Sequence, residues 1–280
     1  MNELPKKVAI SVILPFYKGD DAEHLAAALK SLEDQTLRAE EIVLIQDGPV
    51  GEALNQLVTD WKKRMPEIHW LVRKENGGLS AALNSGIEVA KNEWLARMDA
   101  DDICLPVRFE KQWKRIQEEK EIAIIGSWIE EFDEQMEKSI AIRRLPAEHD
   151  EILKYARWRC PFNHMTVMYR RSALMKLGMY KNYGAVGDDY ELWARFLMNG
   201  YRSANLLEVL VKARAGEGFF SDRRRGMKYL KNEIKEINDL YKLGLLNAGH
   251  YAFHFLVKAI VRLSPKGAVR FFYKLIRWSS

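Results

Sequence analysis

Val8 to Leu14 (VAISVIL) is apolar and largely β-branched, the pattern of a strand buried on both faces. Asp20 to Asp34 then places Leu25, Ala28, Leu29 and Leu32 at helical spacing behind an acidic first turn. Glu41 to Gln46 (EIVLIQ) predicts a second strand, stopped by Asp47-Gly48-Pro49, and Glu52 to Arg64 a second helix. Ile68 to Val72 predicts a third strand. Asn76-Gly77-Gly78 is a turn, Leu79 to Ala90 a helix, and Glu93 to Met98 a fourth strand. Strands alternating with helices of about a dozen residues indicate an α/β chain with a parallel sheet.

After Arg108 the alternation changes character. A helix runs to about Glu119, and IAIIGSWIEEFDE predicts a strand followed by a hairpin. Leu145 to Tyr155 is a loop and helix. Phe162 to Tyr169 (FNHMTVMY) alternates as a strand, and Asp188 to Met198 (DDYELWARFLM) is an amphipathic helix. In open α/β sheets, ligands bind beyond the carboxyl ends of the strands. Pro15-Phe16-Tyr17, Asp47, Asn76-Gly77 and Asp99 to Asp102 all fall at such ends, so the topology gathers them on one edge.

The stretch ARMDADDICLPVRFE crowds Asp99, Asp101 and Asp102 directly after the fourth strand. Side chains alternate along extended chain, so Asp99 and Asp101 point the same way and can share one divalent cation. Mg²⁺ and Mn²⁺ take oxygen ligands, often few carboxylates plus substrate phosphates. The plainer reading is a solvated turn that caps the helix after Pro106. A second acidic pair, Asp188-Asp189, opens a helix. There it either caps the free N–H groups or supplies a general base for an incoming hydroxyl. Trp193 walls that pocket or belongs to the core. His164 sits at a strand entrance, where it is either a site residue or a structural histidine. Arg214 and Arg223-Arg224-Arg225 suit phosphate binding, or form a solvated loop among glycines.

Charge adds a second theme. Residues 221–280 hold thirteen Lys/Arg against four Asp/Glu, a balance of +9, which leaves −4 of the total +5 on the first 220. His250, His254, Lys258 and Arg262 recur every four residues, and Lys266, Arg270, Lys274 and Arg277 repeat the spacing beyond Ser264-Pro265. Two helices with a narrow basic stripe and a wide apolar, aromatic face suit a membrane interface, or else pack on the preceding domain. The aromatics share that face with aliphatic side chains, so nucleic acid is not the expected partner. Only two cysteines are present, which fits a reducing cytosol, and no run reaches the roughly 18 apolar residues that span a bilayer.

Taken in order, SVILPFYKGD, EIVLIQDGP, NGGLSAALNSGI, ARMDADDICLPVRFEKQ, FNHMTVMYRRSAL and GDDYELWARFLMNG resemble family 2 glycosyltransferases over roughly residues 8 to 225. The likeness is greatest to bacterial enzymes that extend lipid-linked O-antigen, capsule and exopolysaccharide units. It implies a GT-A fold: a mixed sheet flanked by helices, here with C-terminal amphipathic helices. It divides the chain into a glycosyltransferase domain, 1–220, and a basic loop with membrane-interface helices, 221–280.

The resemblance also implies roles. Pro15, Phe16 and Tyr17 border the nucleotide base and Asp47 contacts it. Asn76, Gly77 and Asn84 belong to the nucleotide-sugar site, and Asp99 lies near ribose and diphosphate. Asp101 binds Mn²⁺ or Mg²⁺, with Asp99 and Asp102 supporting. Asp189, with Asp188 beside it, is the base. His164 and Trp193 face the acceptor, and Arg223 and Arg224 the diphosphate. Three positions depart from the pattern. Gln46-Asp47-Gly48-Pro49 stands for Asp-Asp-Gly-Ser, Leu83 for an arginine before Asn84, and Asp188 for a glutamate. The missing arginine leaves one diphosphate contact either absent or moved to Lys74 or Arg97.

The expected activity is inverting, metal-dependent transfer of a hexose or N-acetylhexosamine from a UDP-sugar to a polyprenyl-diphosphate-linked sugar, forming a β-linkage. The enzyme would sit peripherally on the inner face of the cytoplasmic membrane. Two other classes compete: a nucleotidyltransferase, which PFYKGD fits poorly because it lacks a Gly-rich basic loop, and a non-catalytic membrane-associated nucleotide-sugar binder, which has no need of Asp188-Asp189.

Overall fold

The structure, a computed structural model, describes residues 6–184, 188–215 and 226–263, without the side chains of Asp188 and Lys228. The first half follows the predicted alternation. It runs β1 (Lys7–Phe16), α1 (Ala22–Glu33), β2 (Arg38–Gln46), α2 (Glu52–Arg64), β3 (Ile68–Val72), α3 (Leu79–Val89) and β4 (Trp94–Arg97). Next come β5 (Ile103–Cys104), α4 (Arg108–Glu118), the hairpin of β6 (Ile122–Phe132) and β7 (Ser139–Arg143), and α5 (His149–Ala156). The chain continues through β8 (Met168–Arg170), α6 (Arg171–Lys176), α7 (Asp188–Met198), β9 (Arg202–Arg214), α8 (Met227–Lys242) and α9 (Ala248–Leu263).

One sheet has the order β3-β2-β1-β4-β8-β6-β9-β5, with β7 on β6. β3, β2, β1 and β4 are parallel, β8 is antiparallel to both β4 and β6, and β9 returns parallel to β6. β1 is central and buried on both faces, and its side chains alternate between two cores. Ile13 joins α3 and α7, including Ile87, Leu192 and Trp193. Val12 and Leu14 join α1, α2 and α4, including Leu29, Val58 and Phe109.

One expectation changes. Phe162 to Tyr169 is not one strand: His164–Thr166 forms a 3₁₀ turn before β8. Buried Asn163 donates to the Ser127 carbonyl at 2.8 Å, and the Thr166 hydroxyl donates to the Asn163 carbonyl at 2.8 Å, which curls the backbone. Helix α8 packs on the core, where its Ile237 and Leu240 share the cluster of Trp193.

Candidate active site

The ends of β1, β2 and β4 open on one cleft of about 630 Å³. Pro15, Phe16 and Tyr17 form its wall at β1, with Phe16 buried and Tyr17 exposed. Asp20 turns back to receive the Tyr17 backbone N–H at 2.8 Å, and so faces the same cleft. Burial, reinforced by Asp101 and Asp99, pushes its carboxyl up to about 6.

At β2, Asp47 is nearly sealed and organises the neighbouring loop. Its oxygens accept the Gly77 and Gly78 N–H groups at 3.0 and 2.9 Å, and its carbonyl accepts the Asn76 carboxamide at 3.1 Å. Arg73 pairs with the same carboxylate. The Asn76 backbone passes so near Gly48, at φ +84°, that a Cβ there would lie 2.6 Å from the Asn76 nitrogen; glycine admits both the conformation and the approach. Arg73 escaped the sequence reading because its neighbour Lys74, the proposed substitute, is equally basic. Lys74 is exposed and stands outside the cleft wall.

At β4, Asp99 and Asp101 line the cleft, and Asp102 is buried behind them. Arg97 is sealed beneath and pairs with Asp99, so it is an internal counter-ion rather than an exposed diphosphate contact. Asp102 Oδ1 accepts the Arg214 backbone N–H at 2.9 Å. The helix-capping alternative does not hold: α4 begins after Val107 with no side-chain cap. Buried Arg108 instead braces the turn, donating to the Arg97 carbonyl at 2.9 Å.

One ligand oxygen from each of Asp99, Asp101 and Asp102 falls within 4.8 Å of the others. Desolvation, then Asp99, raises Asp101; desolvation, then Asp99 and Asp101, raises Asp102 well above the carboxylate range. An all-carboxylate set with a buried, unpartnered Asp102 Oδ2 fits a hard divalent cation. Asp101 is the member least engaged within the protein.

Asp189 enters from the first turn of α7 and lines the same cleft. The Cys160 thiol lies 3.6 Å from Asp189 Oδ2 and 3.5 Å from the Phe162 carbonyl, and shares its one hydrogen between these acceptors. Burial, then Asp189, pushes that thiol well up, so it stays protonated and able to donate. The helix is firmly held. Fully buried Glu191 accepts from Arg195 Nε at 3.0 and 2.9 Å and from Lys181 at 2.8 Å. His164 lines the cleft and is hydrogen-bonded to the Tyr180 hydroxyl at 2.9 Å. Burial, then Arg97, holds its imidazole well below the ordinary value, so it is neutral.

Other expected site residues lie elsewhere. Trp193 is fully buried, edge-on to Phe162 and His164 at 5.7 and 5.8 Å, so it supports His164 instead of facing an acceptor. Asn84 is spent on the Tyr180 backbone, donating at 2.9 Å and accepting at 3.0 Å, and does not line the cleft. Arg223, Arg224 and Arg225 lie outside the described residues, as does the Asp188 side chain.

The family model "Glycosyl transferase family 2" matches residues 11–183, more than half of the chain. The chain is a family 2 glycosyltransferase. This glycosyltransferase is 39% identical over 268 residues to the amylovoran biosynthesis glycosyltransferase AmsE of Erwinia amylovora, covering 94% of this chain and 97% of that one. It is 31% identical over 275 residues to the UDP-Gal:alpha-D-GlcNAc-diphosphoundecaprenol beta-1,3-galactosyltransferase of Escherichia coli, covering 98% of each. Among solved structures, Staphylococcus aureus TarS 1–349 in complex with UDP-GlcNAc superposes with a TM-score of 0.67 at 17% identity, covering 90% of this chain and 73% of that one. That likeness establishes the GT-A fold. Glycosyltransferase membership removes the nucleotidyltransferase and non-catalytic alternatives.

Proposed function

We propose that this enzyme transfers a hexose or N-acetylhexosamine from a UDP-sugar to a sugar on a polyprenyl diphosphate, with inversion, in bacterial surface polysaccharide synthesis. One observation carries the reading: a single cleft joins the β4 carboxylates to Asp189 on α7 and to Asp47 at the end of β2, which organises the loop between β3 and α3. The β1 end, Asp47 and the Asn76-Gly77 loop form a floor for the nucleotide. Asp101 and Asp99 would hold Mn²⁺ or Mg²⁺, with Asp102 behind them. Such an ion supplies positive charge where the diphosphate departs.

Asp189 serves as general base. The acceptor hydroxyl oxygen attacks the anomeric carbon as the bond to UDP breaks, and its proton passes to the Asp189 carboxylate. One displacement inverts the centre, so an α-linked donor gives a β-linked product. The Cys160 thiol, 3.6 Å from Asp189 Oδ2, helps orient that carboxylate and supports Asp189 as the base. Neutral His164 borders the same space as an acceptor contact. The diphosphoundecaprenol-linked acceptor in the Escherichia coli relative's name supports the lipid-linked acceptor, and with it a place at the membrane's inner face. No helix among the described residues is long and apolar enough to cross a membrane.

The test is Asp189→Asn. It should keep UDP affinity while turnover falls by about 10²–10⁴-fold, the usual contribution of general base catalysis. Full turnover with normal UDP binding would remove Asp189 from this role.

A further inference from the structure

Of the groups spaced along residues 250–262, His254, Lys258 and Arg262 face the protein, and His250 packs edge-on against Trp158 at 4.5 Å. His254 Nε2 is hydrogen-bonded to the Arg157 carbonyl at 2.9 Å. Lys258 reaches Glu236 at 2.9 Å and Glu233 at 3.6 Å, and Arg262 forks onto Glu233 with two bonds of 2.9 Å. Helix α9 therefore rests on α8 by its polar stripe, and the sequence expectation that these cations meet headgroups is corrected.

The inversion leaves the apolar side outside. Phe253, Leu256, Ile260 and Leu263 recur at intervals of three and four, which is one helix face. All four are exposed, Leu256 by 58%. A helix that turns its charges inward and its large apolar residues outward needs a partner for that face.

The turn after α5 extends the same surface. Trp158 is 50% exposed and meets the Phe253 ring edge-on at 5.3 Å. Arg157 and Arg159 flank it, and among the described residues no carboxylate pairs with either. A protein partner would have to bring both an apolar groove and matching acids. An anionic bilayer offers an apolar interior beneath a negative headgroup layer, and aromatic rings beside free arginines suit that boundary.

We propose that α9 and the Arg157-Trp158-Arg159 turn form the surface that seats this enzyme on an anionic lipid bilayer. Trp158, Phe253, Leu256, Ile260 and Leu263 enter the headgroup boundary, and Arg157 and Arg159 meet the headgroups. The proposal rests on the lipid-linked acceptor read above, and it adds an orientation. Cys160, the residue after Arg159, touches Asp189. The bilayer thus meets the acceptor side of the cleft, so a lipid-linked sugar reaches the base without leaving the membrane surface.

The test is co-sedimentation of the full chain with phosphatidylcholine vesicles, with and without phosphatidylglycerol. Wild type should favour the anionic vesicles. Leu256→Ser with Ile260→Ser should weaken binding about tenfold or more, given the apolar area withdrawn. Arg157→Gln with Arg159→Gln should abolish the anionic preference, and UDP affinity should stay unchanged in both variants. Equal vesicle binding by wild type and variants would overturn this face and point to residues 264–280, leaving the lipid-linked acceptor intact. Self-association in sedimentation velocity, lost in the serine variant and without vesicle binding, would assign the face to a second copy and overturn the proposal. Transfer to a lipid-free acceptor as efficient as to a lipid-linked one would instead overturn the acceptor reading.

Discussion

The Cys160 thiol lies 3.6 Å from Asp189 Oδ2 and shares its one hydrogen between that oxygen and the Phe162 carbonyl. It is a soft contact, held by a thiol that burial keeps protonated. Removing it frees the carboxylate to rotate away from an incoming hydroxyl. Cys160→Ala should lower kcat by about threefold to tenfold, the range for one ordinary hydrogen bond, and leave the donor KM unchanged. Steady-state kinetics checks this, and an unchanged kcat would show that Asp189 is positioned by α7 alone.

Arg97 answers the charge problem posed by three neighbouring aspartates. Its sealed guanidinium faces Asp99, and α4 closes the site from below through Arg108. Asp99 keeps 29% of its side-chain exposure, so removing Arg97 strands a partly solvated carboxylate, at a cost of roughly 1–3 kcal/mol. Arg97→Met should lower unfolding stability by about that much in a urea titration. Arg97→Lys should lose less, since the charge remains.

Trp193 tests the separation of core from cleft. It packs against Phe162, His164, Tyr169, Tyr180 and Phe196. Trp193→Ala should destabilise by about 3–5 kcal/mol, while Trp193→Phe keeps most of the stability and leaves acceptor preference intact. A changed acceptor preference in a stable Phe variant would return this residue to the substrate site.

Glu236 gives the fold a pH dependence. Burial pushes its carboxyl up to about 7, against the opposing pull of Lys258. Between the ordinary carboxyl value and about 7 the folded chain keeps a proton that the unfolded chain has released. Glu236 therefore favours the fold below that window, and its contribution falls as pH rises through it. Denaturation midpoints should decline across this range in wild type, and the decline should be smaller in Glu236→Gln.

Much of this was legible in the sequence. Each β/α unit of the first half carries its own period, so β1 to β4 and the helices between them could be placed from local pattern alone. The strand ends then located the cleft with Asp47, Asp99 and Asp101, and Asp189, read at a helix start, joins them there. What escaped depends on distant partners. β9 hid because its alternation breaks where it pairs with β6: Ser127 meets Leu206, but Trp128 meets Val209, leaving Leu207 and Glu208 out of register. The stripe of α9 was visible, but its direction was not, because Glu233 and Glu236 on α8 decide which side turns inward. Asn84 was misplaced for a similar reason, as its partner Tyr180 is 96 residues away. Asp20 looked like part of a helix start until the fold turned it toward Asp101.

UDP binding by calorimetry, with Mn²⁺, with chelator, and with Asp101→Asn, tests the central claim most directly. The account predicts binding that needs both the ion and Asp101, and that survives Asp189→Asn. UDP binding of equal strength in chelator and in Asp101→Asn would contradict it, because the β4 carboxylates would then play no part in holding the donor.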